Sequence, residues 1–320
     1  MKLSSPVSIS PKRLLKRAEK LVDRFAVRFP EASDRNDPDA IHDTRVRSRR
    51  LQQLFNAIFP KPRTDKQRKL IRILRKVRRQ LGQCRSIDVS LDLVAEMLEA
   101  TADPSTREAW EQFRTHLRAE REKTFRRARK KLSSYKITKF VALSHRCLGR
   151  ARVELESRDN YAVLETNLQQ ARQRWNESLA LAKENRTPDR LHALRIAAKR
   201  LRYRSELLAD FGDSSAKSLV KSLKNLQQAL GRWHDRHVLF RSVADFVGRP
   251  DFLLDHPAIA RSLLNEIERE GNEEIAVVEE IMKSADKISG TLGSTTRSSS
   301  EGNLRRSEVL SHPRFAQPRS

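Results

Sequence analysis

The sequence predicts an all-α fold, and three observations carry that reading. Only nine glycines punctuate 320 residues, and Leu, Ala, Arg, Lys, Glu and Gln are abundant between them, a composition that favours helix over sheet. Apolar residues recur at three- and four-residue spacing, the pattern of a helix with one buried stripe. The chain is also duplicated internally with a period near 150 residues, too long for a stacked solenoid repeat. Such a duplication describes two tandem helical bundles related by a pseudo-two-fold axis.

The expected helices of the first half span roughly 11–29, 38–59, 64–81, 86–100, 104–132 and 136–152. Those of the second half span roughly 158–184, 188–210, 214–230, 233–247 and 256–287. Phe59-Pro60-Lys61-Pro62, Asp103-Pro104, Thr187-Pro188, Phe211-Gly212-Asp213 and Gly248-Arg249-Pro250 mark turns between them, because proline and glycine punctuate helices. Leu81-Gly82 and Leu230-Gly231 are expected to end helices, glycine being the residue that tolerates a left-handed terminus. Residues 1–288 form one helical domain with halves at about 8–152 and 158–287. From Ser289 to Ser320 Ser, Thr, Gly and Pro take over without helical periodicity, which predicts a disordered tail.

The duplication is clearest in two stretches. Pro38-Asp39-Ala40-Ile41-His42-Asp43-Thr44-Arg45 leads to Arg49-Arg50-Leu51, and Pro188-Asp189-Arg190-Leu191-His192-Ala193-Leu194-Arg195 leads to Lys199-Arg200-Leu201. Asp37 or Thr187 suits an N-cap, and the proline after it suits the first helical position. At 100° per residue His42, Arg45 and Arg49 fall within an arc of about 60°, with Leu51, Leu54 and Ile58 opposite. The second copy sets His192, Arg195, Lys199 and Arg202 against Leu194, Leu201 and Leu208.

The next pair of segments, offset by 149, does the same. Leu70, Ile73, Leu74, Val77 and Leu81 form an apolar seam, and Arg68, Arg72, Arg75 and Arg79 form a stripe opposite. Lys217, Lys221, Lys224 and Gln228 match that stripe in the second half. Like charges one turn apart cost a helix a few tenths of a kcal/mol each, a cost that a bound anion would remove. The net charge of +25 and pI of about 10.8 suit a polyanionic partner. Two cysteines, Cys84 and Cys147, make no disulfide framework, and no apolar run approaches the ~18–20 residues of a membrane span. A reducing, cytoplasmic setting is the expectation.

The His-x-x-Arg-x-x-x-[Arg/Lys]-Arg-Leu segments and the Leu-Gly-x-x-x segments, present in both copies, resemble the hallmarks of the conserved histidine α-helical domain, the CHAD family. The resemblance covers about residues 8 to 287. It implies two four-helix-bundle halves around a basic central channel that binds inorganic polyphosphate, with association to polyphosphate granules. Carried over by position, the polyphosphate-binding candidates are His42, Arg45, Arg49, Arg72, Arg75, Arg79, His192, Arg195, Lys199, Arg202, Lys221 and Lys224. The chain departs from the family's Arg-Asp-x-Asp-Val pattern after Leu-Gly. Asp88 keeps only the second acid and Asp235 only the first, and either would cap a helix or orient an arginine.

Catalytic apparatus is not apparent. Glu154-Leu155-Glu156-Ser157-Arg158 lacks the lysine of the triphosphatase signature often fused to the family. No Glu-x-x-His pair, P-loop, Cys-x-x-Cys or Gly-x-Ser-x-Gly element occurs. His234-Asp235-Arg236-His237 is a weak metal pattern, and no cofactor is expected. The expected function is non-catalytic binding of polyphosphate, with no membrane partner and with possible competition from nucleic acid. An RNA- or ribosome-binding helical protein is the alternative. It is disfavoured because aromatics are only 6% and Phe55 and Phe59 lean to the apolar side, whereas single-strand recognition wants exposed stacking rings.

Overall fold

Local chemistry sets the helix starts. Asp37, Asp103, Asp159 and Asp213 each accept a backbone N–H of the first turn. Thr64 forms a capping box with Gln67, and Thr187 accepts from the Arg190 N–H. Such caps satisfy donors that the helix itself leaves free. The computed structural model describes residues 9–309, with side chains at 9–271 and 274–292. Its described residues form α1 (Pro11–Asp34), α2 (Pro38–Ile58), α3 (Asp65–Ala100), α4 (Pro104–Leu132) and α5 (Ile137–Glu156) in the first half. The second half holds α6 (Asn160–Glu184), α7 (Pro188–Asp210), α8 (Ser214–Val247), the short α9 (Pro250–Asp255) and α10 (Pro257–Val309). No strand occurs among the described residues.

Four boundaries differ from expectation. Neither Leu81-Gly82 nor Leu230-Gly231 ends a helix: both glycines sit inside the unbroken helices α3 and α8. At Gly82 the reason is space rather than a left-handed turn. A Cβ there would lie 3.1 Å from Arg45 Nη1, whose guanidinium donates to the Arg78 carbonyl one turn earlier. Helix α1 passes through Pro30 for a further turn, which buries Ala32 and Ser33. Helix α10 continues beyond residue 288 because its apolar seam does, Ala285, Ile288 and Leu292 all being buried at helical spacing. Residues 310–320 of the expected tail lie outside the described residues.

One apolar core runs through both halves. It joins Phe25 of α1, Phe55 of α2 and Leu74 of α3 to Trp175 of α6, Leu201 of α7 and Leu223 of α8. A second core gathers the far ends of the longest helices, with Trp110 and Phe113 of α4 packed against Val243 and Phe246 of α8 and Leu263 of α10. Burying each such ring contributes about 1.5–3 kcal/mol. The two cores therefore pin α3 along α8, and α2 meets α7 beside that crossing.

Candidate functional site

The apolar faces decide where the basic faces go. Leu51, Leu54 and Ile58 of α2 and Leu194, Leu201 and Leu208 of α7 are fully buried, so their opposite faces turn toward the junction of α2, α3, α7 and α8. Arg49 of α2 donates to the Tyr203 hydroxyl of α7 at 3.0 Å, and its guanidinium lies 5.6 Å from the centre of that ring. Arg202 covers the same ring at 4.9 Å. A single tyrosine is thus shared by arginines from the two halves.

The electrostatics make the junction one site. Arg45 is half-buried, and desolvation followed by Arg49 and Arg85 pushes its pKa down to about 10. Burial, with Arg49 and Arg45, does the same to Arg78. Across the junction, burial followed by Arg195 and Arg49 pushes Lys199 down to about 7. Burial also lowers Arg195, with Arg49 adding to it. Arg49 therefore acts on cations of both halves. The arginines stay charged at neutral pH, whereas Lys199 is half-titrated there. Like charges about 8 Å apart in a half-buried setting repel by about 2 kcal/mol, so the cluster is costly while it has no anion.

Little local carboxylate offsets it. Asp235 lies 3.6 Å from Arg195 and Glu206 lies 3.3 Å from Arg202. Burial raises the Asp235 pKa despite the cations around it. Arg195 Nε and Arg78 Nη1 are buried without a hydrogen-bond partner, and Arg78 Nη2 donates to Gln52 at 2.6 Å.

The histidines flank this cluster. His192 Nδ1 approaches His234 Nδ1 at 3.4 Å, with ring centres 4.8 Å apart. Desolvation followed by Arg195 holds His234 at about 3, so it is neutral, and the same two causes lower His192. Partial desolvation and Arg85 lower His42, which is exposed on α2.

Of the predicted residues, the junction brings together Arg45, Arg49, His192, Arg195, Lys199 and Arg202, with His42 at its edge beside Arg85. Arg75 lies next to it, close enough to act on Arg78. Arg72 does not join: it lines a cavity between α1, α3 and α5. Arg79 lines another cavity with Arg127 and Lys131 of α4. Lys221 and Lys224 are exposed on α8. At 100° per residue, Arg72 and Arg79 point some 100° or more away from Arg78 and Arg85. The stripe is therefore split, and Arg78 and Arg85 are the α3 residues that reach the junction.

Arg78, Tyr203 and His234 went unassigned in the sequence. The offset of 149 contains the signal, since it sets His234 at the position of Arg85 and Gln227 at that of Arg78. Treating the glycines as helix ends hid it, because Arg85 and His234 follow them by three residues on the same helices. Asp88 and Asp235 each face an arginine: Arg121 Nε donates to Asp88 at 2.5 Å, and Asp235 meets Arg195. The His234-x-x-His237 pattern gathers no metal-binding cluster, and none occurs among the described residues.

The sequence profile of the CHAD domain matches residues 16–242, more than half of the chain. The chain belongs to the CHAD family. The crystal structure of the CHAD domain from the plant Ricinus communis has the same fold, with a TM-score of 0.64 at 18% identity, covering 89% of this chain and 95% of that one. No curated protein matches. Polyphosphate binding is the known role of CHAD domains. Among the described residues no helix is long and apolar enough to cross a membrane.

Proposed function

We propose that this CHAD protein binds inorganic polyphosphate without turning it over, at the junction of α2, α3, α7 and α8, and that it does so in the cytoplasm on polyphosphate granules. One observation carries the reading: Arg49 is electrostatically coupled to Arg45 and Arg78 on one side and to Arg195 and Lys199 on the other, so cations of both halves form a single under-neutralised cluster. A linear chain of phosphates supplies closely spaced charge that the guanidinium groups can hold in bidentate fashion. Its binding releases condensed counterions, so affinity falls steeply with salt. Polyphosphate gives the exposed His42 and half-buried His192 a reason to be protonated, since a bound polyanion raises their lowered pKa values.

Titration of long-chain polyphosphate into the wild type and into Arg49→Gln with Arg195→Gln tests the site. The double variant is expected to bind about 100-fold more weakly. It should also have a salt slope shallower by about two, each lost phosphate contact removing roughly 0.7–0.9. Arg72→Gln with Arg79→Gln should change affinity less than threefold. Equal losses in the two pairs would mean diffuse attraction by net charge in place of a site at the junction. An RNA oligomer that displaces polyphosphate at equal phosphate concentration would favour a nucleic-acid role instead.

A further inference from the structure

A cavity of about 600 Å³ opens on the side of α3 away from the polyphosphate junction, between α1, the turn that follows α4 and the start of α5. Two cationic ridges face one another across it. Lys69, Arg72 and Lys76 rise from α3, while Lys136 and Lys139 rise from the start of α5. None of the residues that line it is acidic. Its floor is apolar: Ile73, Ile137 and Leu143 lie half-buried over the buried rings of Phe25, Phe29 and Phe140, and Tyr135 lies half-buried at its edge. Helix α5 also begins here without a side-chain cap, Lys136 being its N-cap, so the positive end of its dipole adds to the five cations.

This combination differs from the junction in kind. The junction offers guanidinium groups and a shared tyrosine to a chain of phosphates. The cavity offers lysines around an apolar floor of the size that encloses a small organic ligand. A free fatty acid would suit the floor but brings one charge to five cations. A bare phosphate chain would match the cations but leave the apolar floor wet. We infer that the cavity binds a nucleoside triphosphate, with the base on the floor beside Tyr135 and Leu143 and the phosphates between the two cationic ridges. The class follows from charge and shape together: about four negative charges on one end and a flat, weakly hydrated ring on the other. Base stacking on aromatic side chains is worth about 1–3 kcal/mol, which is the part that inorganic phosphates lack.

Equilibrium dialysis of the full chain with ATP and, separately, with inorganic tripolyphosphate tests the assignment. The wild type should bind ATP saturably and at least tenfold more tightly than tripolyphosphate. Lys69→Ala with Lys139→Ala, both exposed positions, should weaken ATP binding about tenfold or more while leaving long-chain polyphosphate binding within threefold. Leu143→Trp should fill the floor, weaken ATP at least fivefold and leave tripolyphosphate unchanged. Arg49→Gln should leave ATP binding intact. Far-UV circular dichroism establishes that each variant is folded, and retained polyphosphate binding adds a second check for the variants of the cavity. Four results each overturn the inference: no saturable ATP binding, equal affinity for tripolyphosphate, equal loss of both ligands in Leu143→Trp, or loss of ATP in Arg49→Gln but not in the lysine pair.

Discussion

The two corners of the junction occupy matching places in the duplicated sequence yet differ in chemistry. On the first-half side Arg45, Arg49, Arg78 and Arg85 are all arginines, the side chain whose charge is fixed. On the second-half side the matched positions carry Arg195, Lys199, Gln227 and His234, of which Lys199 titrates near neutrality and His234 stays neutral. Even the polar pair is exchanged: Arg78 donates to Gln52, whereas the matched positions hold Gln227 and Arg202. The difference teaches that one corner anchors with fixed charge while the other sets how the anchor responds to pH.

The corners also differ in how they are fastened, and the largest effect tests that. Asp88 and Arg121 form a buried ion pair, each side chain about 7% exposed, and Arg121 also donates to Asn36 at the turn between α1 and α2. Asp88→Ala leaves a buried guanidinium without its carboxylate, and breaking a buried pair from one side costs about 3–5 kcal/mol. The matched position is His237, which stacks on Trp233 with ring centres 5.7 Å apart. His237→Ala should cost only about 1 kcal/mol, the scale of an aromatic pair. Urea denaturation of both variants measures the contrast. Equal costs would mean that the first corner has no special fastening.

A smaller effect separates fixed from titratable charge. Lys199 is depressed in the folded protein, so between pH 7 and its unfolded value near 10.4 the unfolded chain holds more protons. Without ligand, stability therefore rises with pH across that window. Polyphosphate favours the protonated amine and reverses the preference, so affinity should fall as pH rises through and above 7. A drop of roughly tenfold between pH 6.5 and 8.5 is expected, equivalent to about 1.4 kcal/mol. Lys199→Arg makes the second corner resemble the first and should flatten the drop to less than threefold. His42→Gln with His192→Gln should reduce the drop less than Lys199→Arg does, because both imidazoles start below their ordinary range and a bound polyanion only brings them back toward it. An unchanged slope in Lys199→Arg would remove the lysine from the account.

How far the sequence spoke depended on whether a feature is local. Helix starts were readable because a cap such as Asp37 or Thr187 acts within one turn. The faces of α2 and α7 were readable because period and duplication together set Arg45 beside Arg49 and Arg195 beside Lys199. What α3 contributes was not, since the choice of Arg78 and Arg85 over Arg72 and Arg79 depends on how α3 crosses α8. That crossing is set by long-range packing in the second core, where Val94 and Met97 of α3 join Val243 and Phe246 of α8. Continuity of α10 past residue 288 was hidden by Ser and Thr composition, although Leu292 continued the apolar seam.

The glycines give the finest test of the comparison, because the same residue sits mid-helix in both corners for different reasons. Beyond its own helix backbone and chain neighbours, nothing lies within 4 Å of where a Cβ would stand at Gly231. Gly231→Ala should therefore gain the helical preference of alanine, about 0.5–1 kcal/mol, and leave polyphosphate affinity unchanged. At Gly82 the same gain meets Arg45 Nη1 at 3.1 Å, so the guanidinium must leave the Arg78 carbonyl by a few tenths of an ångström. Gly82→Ala should then be close to neutral in stability and weaken polyphosphate binding about two- to threefold, because the displaced group is one of the fixed charges of the anchoring corner. Paired urea midpoints and binding titrations distinguish the two substitutions. If Gly82→Ala stabilises the fold as much as Gly231→Ala and binds polyphosphate normally, the seat of Arg45 on α3 is not what the missing side chain is for.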